Sequence, residues 1–358
     1  MLIVFGPCSC AQELDTGMFS RMWLQRYLKP LTIAAACCVA ESQAQISLEP
    51  EQSVFEFPMV SEQAANAHDT PLADARFIHG DKTLLTLDFL QTVKLWDVAT
   101  GKLEATYRVG PLAAVNSISL SPDEELLATA GKNGRMAVIN LKTGKVEWDL
   151  RNTTGFIDVD FHPDGRSLLV SDDTSLVAYD RKTGKEIKRL HRPATDRDRL
   201  DAAFLSDEWL VTGSQEGTLT MWKWSTGKPE PRIISAYTKE LKVEWKVIAK
   251  PQPYAVLAQL NGPLSVVNLT TGEKRPFNTG AWRISTGWDI AGPQNKLITP
   301  QLVFDFPSGK FLGRTTLTGF DAVRVSASGR YLAALSKRAW RIYRLPDNFS
   351  TAAKALGL

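Results

Sequence analysis

Six times along this chain an aromatic or branched residue is followed by Asp, Asn or Lys and then, four positions past that polar residue, by the Gly of a Thr-Gly or Ser-Gly pair. The copies are Trp96-Asp97 with Thr100-Gly101, Ile139-Asn140 with Thr143-Gly144, Tyr179-Asp180 with Thr183-Gly184, Trp222-Lys223 with Thr226-Gly227, Val267-Asn268 with Thr271-Gly272, and Phe304-Asp305 with Ser308-Gly309. Successive glycines lie 43, 40, 43, 45 and 37 residues apart. A seventh copy, Tyr343-Arg344, runs into Pro346-Asp347-Asn348. A period of about 40 residues is that of one four-stranded sheet repeated around an axis. The pattern therefore predicts an all-β seven-bladed β-propeller with four-stranded antiparallel blades.

Within one copy the strands can be placed. Val115 to Leu120 alternates apolar and polar residues, Ser121-Pro122-Asp123 is a turn, and Leu126 to Ala130 is a short apolar strand. Lys132-Asn133-Gly134 turns tightly into Met136 to Leu141, and Thr143-Gly144-Lys145 leads to a fourth strand near Val146. The next copy repeats this from Phe156 through His162-Pro163-Asp164-Gly165 to Lys182-Thr183-Gly184. Asn and Asp bond their own turns and Gly accepts positive φ, so the polar residues of the repeat read as turn builders.

The repeats resemble the WD40-repeat family in a divergent, bacterial-type form, over residues 73 to 347. The clearest segment is Trp96-Asp97-Val98-Ala99-Thr100-Gly101-Lys102, with Ser121-Pro122-Asp123 and His162-Pro163-Asp164-Gly165 as supporting turns. The Gly-His pair that opens such repeats is absent, and His79-Gly80 stand in reverse order. The resemblance therefore does not carry the family's buried Asp-His-Ser-Trp hydrogen-bond set to this chain.

The seventh copy lacks an outer strand, which leaves an open ring and a bare edge. The segment from Gln52 to Val60, with Val54, Phe55, Phe57 and Met59, is the expected closure strand, pairing along Trp340 to Leu345. The expected organisation is a signal region over 1–44, a leader over 45–72, the propeller over 73–347 and a tail over 348–358.

From Met18 or Met22 the chain shows Arg21, Arg26 and Lys29, an apolar run from Leu31 to Ala40, and small residues at Ser42 and Ala44. This is the order of a secretory signal peptide, and the run is too short for a transmembrane anchor. Residues 1–17 fit it poorly, so translation is expected to start at Met18 or Met22. Cys37 after Ala34-Ala35-Ala36 raises lipidation as an alternative, but the leucine usual three residues earlier is missing. The four cysteines, Cys8, Cys10, Cys37 and Cys38, all precede the repeats, which suits an oxidising compartment. The expected location is periplasmic or secreted.

A net charge of +3 without a basic stripe does not suggest a nucleic-acid partner. The repeats carry no nucleophile elbow, phosphate loop, zinc-protease helix or cysteine pair, so no cofactor or metal is expected. His162 falls in a surface turn where another copy has Ser121, and reads as solvated. Function on repeat scaffolds gathers in variable connections. Three such connections carry Arg192, Arg197 and Arg199, then Arg232 and Lys239, then Lys274 and Arg275, with Trp245 and Trp282 following. They form either a cationic, aromatic-flanked face for an acidic partner or anionic glycan, or a solvated charge mix with Asp196, Asp198 and Glu230. The expected function is an exported, non-catalytic binding platform for a protein or cell-envelope component. The alternative is a small-molecule enzyme of lactonase-like or quinoprotein-like type using the axial channel, with Asp158, Asp160 and Asp201 as its carboxylates.

Overall fold

Apolar runs in the second and third strands of each repeat call for sheets covered on both faces, and the fold supplies them. In the computed structural model, residues 53–349 and 353–355 are described, apart from 65, 109–114, 132–133, 152–155, 173–174, 191–199, 215–217, 236–242, 249–252, 260–263 and 278–286. Residues 51–358 form one unit. Five consecutive antiparallel four-stranded sheets cover 72–108, 115–151, 156–190, 200–235 and 243–276, and a sixth begins at 289–315. The seventh uses Ala322–Val325, Tyr331–Leu335 and Trp340–Arg344, with Met59–Gln63 as its outer strand.

Blade two shows the logic. Its middle strands, Leu126–Gly131 and Arg135–Asn140, are buried almost throughout, whereas the outer strand Val146–Arg151 is mostly exposed. Leu126, Ala128, Met136 and Val138 pack against Val159, Phe161, Leu168 and Val170 of blade three, so the core lies between neighbouring sheets. Around the axis the inner strands of adjacent blades meet.

Closure uses a later segment than the expected 52–60. The strand on Trp340–Arg344 is Met59–Gln63, with Gln63 opposite Trp340 and Ser61 opposite Ile342. Ser53–Phe55 instead runs parallel to Phe311–Thr315 of blade six, and Ala353–Ala355 of the tail pairs antiparallel outside it. Pro58 separates the two strands, since it has no N–H for a ladder, while its carbonyl accepts the Arg344 N–H at 2.8 Å. Gly313 is what admits the parallel strand, because a Cβ there would collide with the Ser53 carbonyl. Phe55 and Phe57 then meet Phe349, with ring centroids 5.5 and 6.1 Å apart.

The repeated turn is explained by two sets of contacts. Asp97 Oδ1 accepts the Thr100 N–H at 2.8 Å and its hydroxyl at 2.6 Å, and Asp180 treats Thr183 the same way at 2.8 and 2.7 Å. These bonds lower both aspartate pKa values, with the threonine hydroxyl as the leading cause. The glycine that follows has φ near +70° and also lies under the outer strand of the preceding blade. A Cβ on Gly144 would enter the Tyr107 ring, and one on Gly184 would stand 2.8 Å from the Trp148 indole. Tyr107 Oη donates to the Leu141 carbonyl at 2.9 Å and Trp148 Nε1 to the Arg181 carbonyl at 2.8 Å. Blades one and two thus each latch onto the turn of the blade that follows.

Candidate functional site

The first polar centre is in blade one. Thr86, on Thr83–Asp88, stands opposite the strand Thr92–Asp97 that carries Trp96. Trp96 Nε1 donates to Thr86 Oγ1 at 2.8 Å, and His68 Nε2 lies 2.7 Å from the same oxygen. His68 Nδ1 is 3.3 Å from Asp88 Oδ2. Burial lowers the His68 pKa, and the neighbouring Asp88 opposes that shift only in part. A neutral ring fits the network: Thr86 donates to Nε2 while accepting from Trp96, and Nδ1–H faces Asp88. This is an Asp-His-Thr-Trp set, a network that the resemblance alone does not carry to this chain. Ala67-His68 takes the place of the missing Gly-His pair and Thr86 the place of serine. Blade four repeats half of it, with Trp222 Nε1 donating to Thr212 Oγ1 at 2.9 Å.

The second centre lies on the inner strands. The inner edge of a blade offers N–H groups with no further strand to pair with, and in blades three, four and seven side chains of the preceding blade cap some of them. Asp158 accepts from the Ala202 N–H of blade four at 2.9 Å and from the Ser117 hydroxyl of blade two. Asp160 accepts from the Phe204 N–H at 2.8 Å and from Ser119 Oγ at 3.0 Å, while Ser119 Oγ accepts the Phe161 N–H at 3.0 Å. Asp289 makes the corresponding bond to the Val325 N–H at 2.9 Å. Desolvation deep in the ring pushes the Asp160 carboxyl up to about 7, and its bond to the Phe204 N–H opposes the shift. The side chain of Asp201 lies outside the described residues.

His162 is buried, not solvated, which corrects the expectation for its turn. Its ring packs 4.7 Å from Phe204 and 5.4 Å from Trp224, and Nε2 lies 3.1 Å from the Asp207 carbonyl. The aromatic cavity between blades three and four draws the imidazole in, while Nδ1 keeps Asp164 at 2.8 Å. Among the described residues, no group of three His, Cys, Asp or Glu side chains is placed to hold a metal ion, and no helix is long and apolar enough to cross a membrane.

The candidate binding residues are dispersed. Arg192, Arg197, Arg199 and Trp282 lie outside the described residues. Arg232 falls on the outer strand Lys228–Ser235 and Trp245 on the inner strand Val243–Ile248, where it is opposite Leu257. Arg232 therefore belongs to a strand and not to the expected connection, Trp245 follows that connection as expected, and the side chains of both are outside the described set. Arg275 is exposed on the outer strand Lys274–Pro276 and pairs with Glu273, at 2.8 Å from Nε and 3.1 Å from Nη2. With Tyr254, Val266, Asn268, Glu273 and Pro307 it lines a shallow recess of about 50 Å³.

Seven four-stranded blades with a buried Asp-His-Thr-Trp set define a β-propeller of the repeat type. Residues 101–140 match the WD domain, G-beta repeat family. The chain is 28% identical over 144 residues to eukaryotic translation initiation factor 3 subunit I of Phaeosphaeria nodorum, covering 37% of this chain and 43% of that protein. It is 24% identical over 155 residues to the small ribosomal subunit protein RACK1 of Drosophila melanogaster, covering 41% and 48%. To the COMPASS component SWD3 of Saccharomyces cerevisiae it is 21% identical, covering 61% and 72%. The chain thus spans less than half the length of the first two relatives. It is a WD40-like seven-bladed propeller, and the names of these relatives make each a part of a larger assembly.

Proposed function

We propose that this chain is an exported, non-catalytic propeller that binds a protein or cell-envelope component through its variable connections. The observation that carries the reading is the employment of the axial polar groups: Asp158, Asp160 and Asp289 hold inner-strand N–H groups of the next blade, and His68 and His162 are buried in packing networks. Such groups hold the ring together and leave recognition to the loops. The similarity to assembly subunits supports a protein partner, and the signal-like order from Arg21 to Ala44 supports export.

The test is affinity capture of the mature protein from its own envelope fraction, followed by identification and reconstitution of the captured protein. Replacing Arg192, Arg197 and Arg199 by Ser together should weaken the reconstituted complex and flatten its salt dependence while leaving unfolding almost unchanged. Unchanged affinity would remove these connections as the binding face. An amino terminus near Glu41 or Gln45 supports export, and native protein retaining residues 1–17 excludes it.

A further inference from the structure

Blade one carries an exposed apolar turn that the fold holds rigid. Between its second and third strands, Phe89 and Leu90 are 42% and 60% exposed and adjacent in sequence, whereas the other large exposed apolar residues among those described, Met59, Leu103, Val146 and Ile187, each stand singly along the chain. A turn tip is ordinarily small or polar, and the sequence follows that rule in the corresponding turns at Lys132-Asn133-Gly134 and Asp173-Thr174.

The turn is pinned from several sides. Asp88 Oδ1 accepts the Thr92 N–H at 2.8 Å, and the Asp88 carbonyl accepts the Gln91 N–H at 2.9 Å. Gln91 is fully buried with φ of 60°, a left-handed conformation that a non-glycine residue keeps only where its surroundings fix it. The Phe89 N–H donates to the Pro71 carbonyl at 3.1 Å, and the Leu72 N–H donates to the Lys337 carbonyl at 2.7 Å. Exposed Pro71 therefore sits between the apolar turn and the exposed cations Lys337 and Arg338 of blade seven. Arg338 is itself anchored, with Nε on the His68 carbonyl at 2.9 Å. The His68-Asp88 network thus sets both the apolar tip and one of the neighbouring cations.

We propose that this patch docks an acidic segment of a protein partner that carries a bulky apolar residue. Pro71, Phe89 and Leu90 supply the apolar contact, which gains about 25 cal/mol for each Å² withdrawn from water. Lys337 and Arg338 supply charge complementarity to flanking carboxylates. The turn is already ordered, so docking need not fix its backbone first. This rests on the scaffold reading and names the partner chemistry for a patch on blades one and seven.

The experiment is fluorescence anisotropy with three labelled decapeptides: glutamates flanking a Leu-Phe pair, glutamates flanking a Ser-Ser pair, and lysines flanking a Leu-Phe pair. Binding of the first and not the other two is expected. Phe89→Ser combined with Leu90→Ser should weaken it by about tenfold or more, and Lys337→Glu by about three- to tenfold, most at low salt. Val146→Ser with Ile187→Ser is the control and should leave affinity unchanged. Both changed pairs are exposed, so melting curves should overlay the parent. Equal binding of the lysine or serine peptide, or unchanged affinity in the Phe89/Leu90 variant, overturns the proposal. So does a change in solution mass on making that variant, which would assign the patch to a second copy of this chain. If the captured partner binds the variant as tightly as the parent, this surface is wrong and the scaffold reading stands. If capture yields no partner at all, the scaffold reading itself falls.

Discussion

Blades one and two place a threonine at the same point of the second strand, Thr86 and Thr129, each ten residues before the aromatic or branched position of the repeat. In blade one that position is Trp96, and the hydroxyl is bonded to the indole and to His68. In blade two it is Ile139, and Thr129 Oγ1 is buried without a hydrogen-bond partner among the described residues. The same residue at the same address is thus a hub in one blade and a liability in the other. A buried hydroxyl contributes only through the partners that the rest of the blade supplies.

Valine substitutions sharpen that comparison. Thr86→Val should cost about 2–4 kcal/mol, since the Trp96 N–H and His68 both lose a buried partner. Thr212→Val should cost less, about 1–2 kcal/mol, for the bond from Trp222. Thr129→Val should be neutral or stabilising by up to about 1 kcal/mol, because it removes an unpaired polar atom. Urea unfolding of the three variants reads the order, and equal losses at Thr86 and Thr129 would break the comparison.

The seam between these two blades offers a second contrast. Gly144→Ala should destabilise by about 2–3 kcal/mol, since the left-handed strain adds to displacement of the Tyr107 ring. Gly80→Ala, at φ of +63° with open space around it, should show the strain alone, about 1 kcal/mol. If the two melts shift equally, the latch contributes nothing beyond backbone conformation.

The two polar centres should respond to pH in opposite directions. His68 has a folded pKa below its ordinary value, so the unfolded chain binds more protons as pH falls below about 6.5, and stability is lost toward acid. Asp160 is raised to about 7, so between pH of about 4 and 7 the folded state binds more protons, and stability falls as pH rises through that window. Asp160→Asn should remove the second slope, a difference of about 1–3 kcal/mol between the ends of the window. Unfolding of parent and variant at pH 4.5 and 7.5 measures it. Parallel curves would mean that Asp160 titrates in the fold as it does in water.

The repeat was legible because its turn is local: Asp97 or Asp180 bonds a threonine three residues away, and the glycine punctuates each copy. The tetrad was not, because its histidine comes from the connection before the blade and follows Ala67 where a glycine was sought. The ten-residue spacing of Thr86 to Trp96, repeated from Thr212 to Trp222, was the signal that could have found it. The closing segment on Trp340–Arg344 is 59–63 and not 52–60, since Phe55 and Phe57 make 52–60 look like one strand and Pro58 divides it in two. The burial of His162 is not legible locally because it depends on Phe204 and Trp224, more than 40 residues away in the next blade. Of the candidate cations, Lys274 and Arg275 have described side chains, and Arg275 is held by Glu273.

The claim that matters most is that the axial carboxylates hold the ring while recognition resides elsewhere. The direct test is to make Asp158→Asn together with Asp160→Asn and measure, on one preparation, unfolding free energy and affinity for the captured partner. The account predicts a changed stability with a changed pH slope, and partner affinity within about twofold of the parent wherever the protein is folded. Unchanged unfolding with loss of partner binding, or with loss of a measurable turnover, would contradict it and return the axis to the role of an active site.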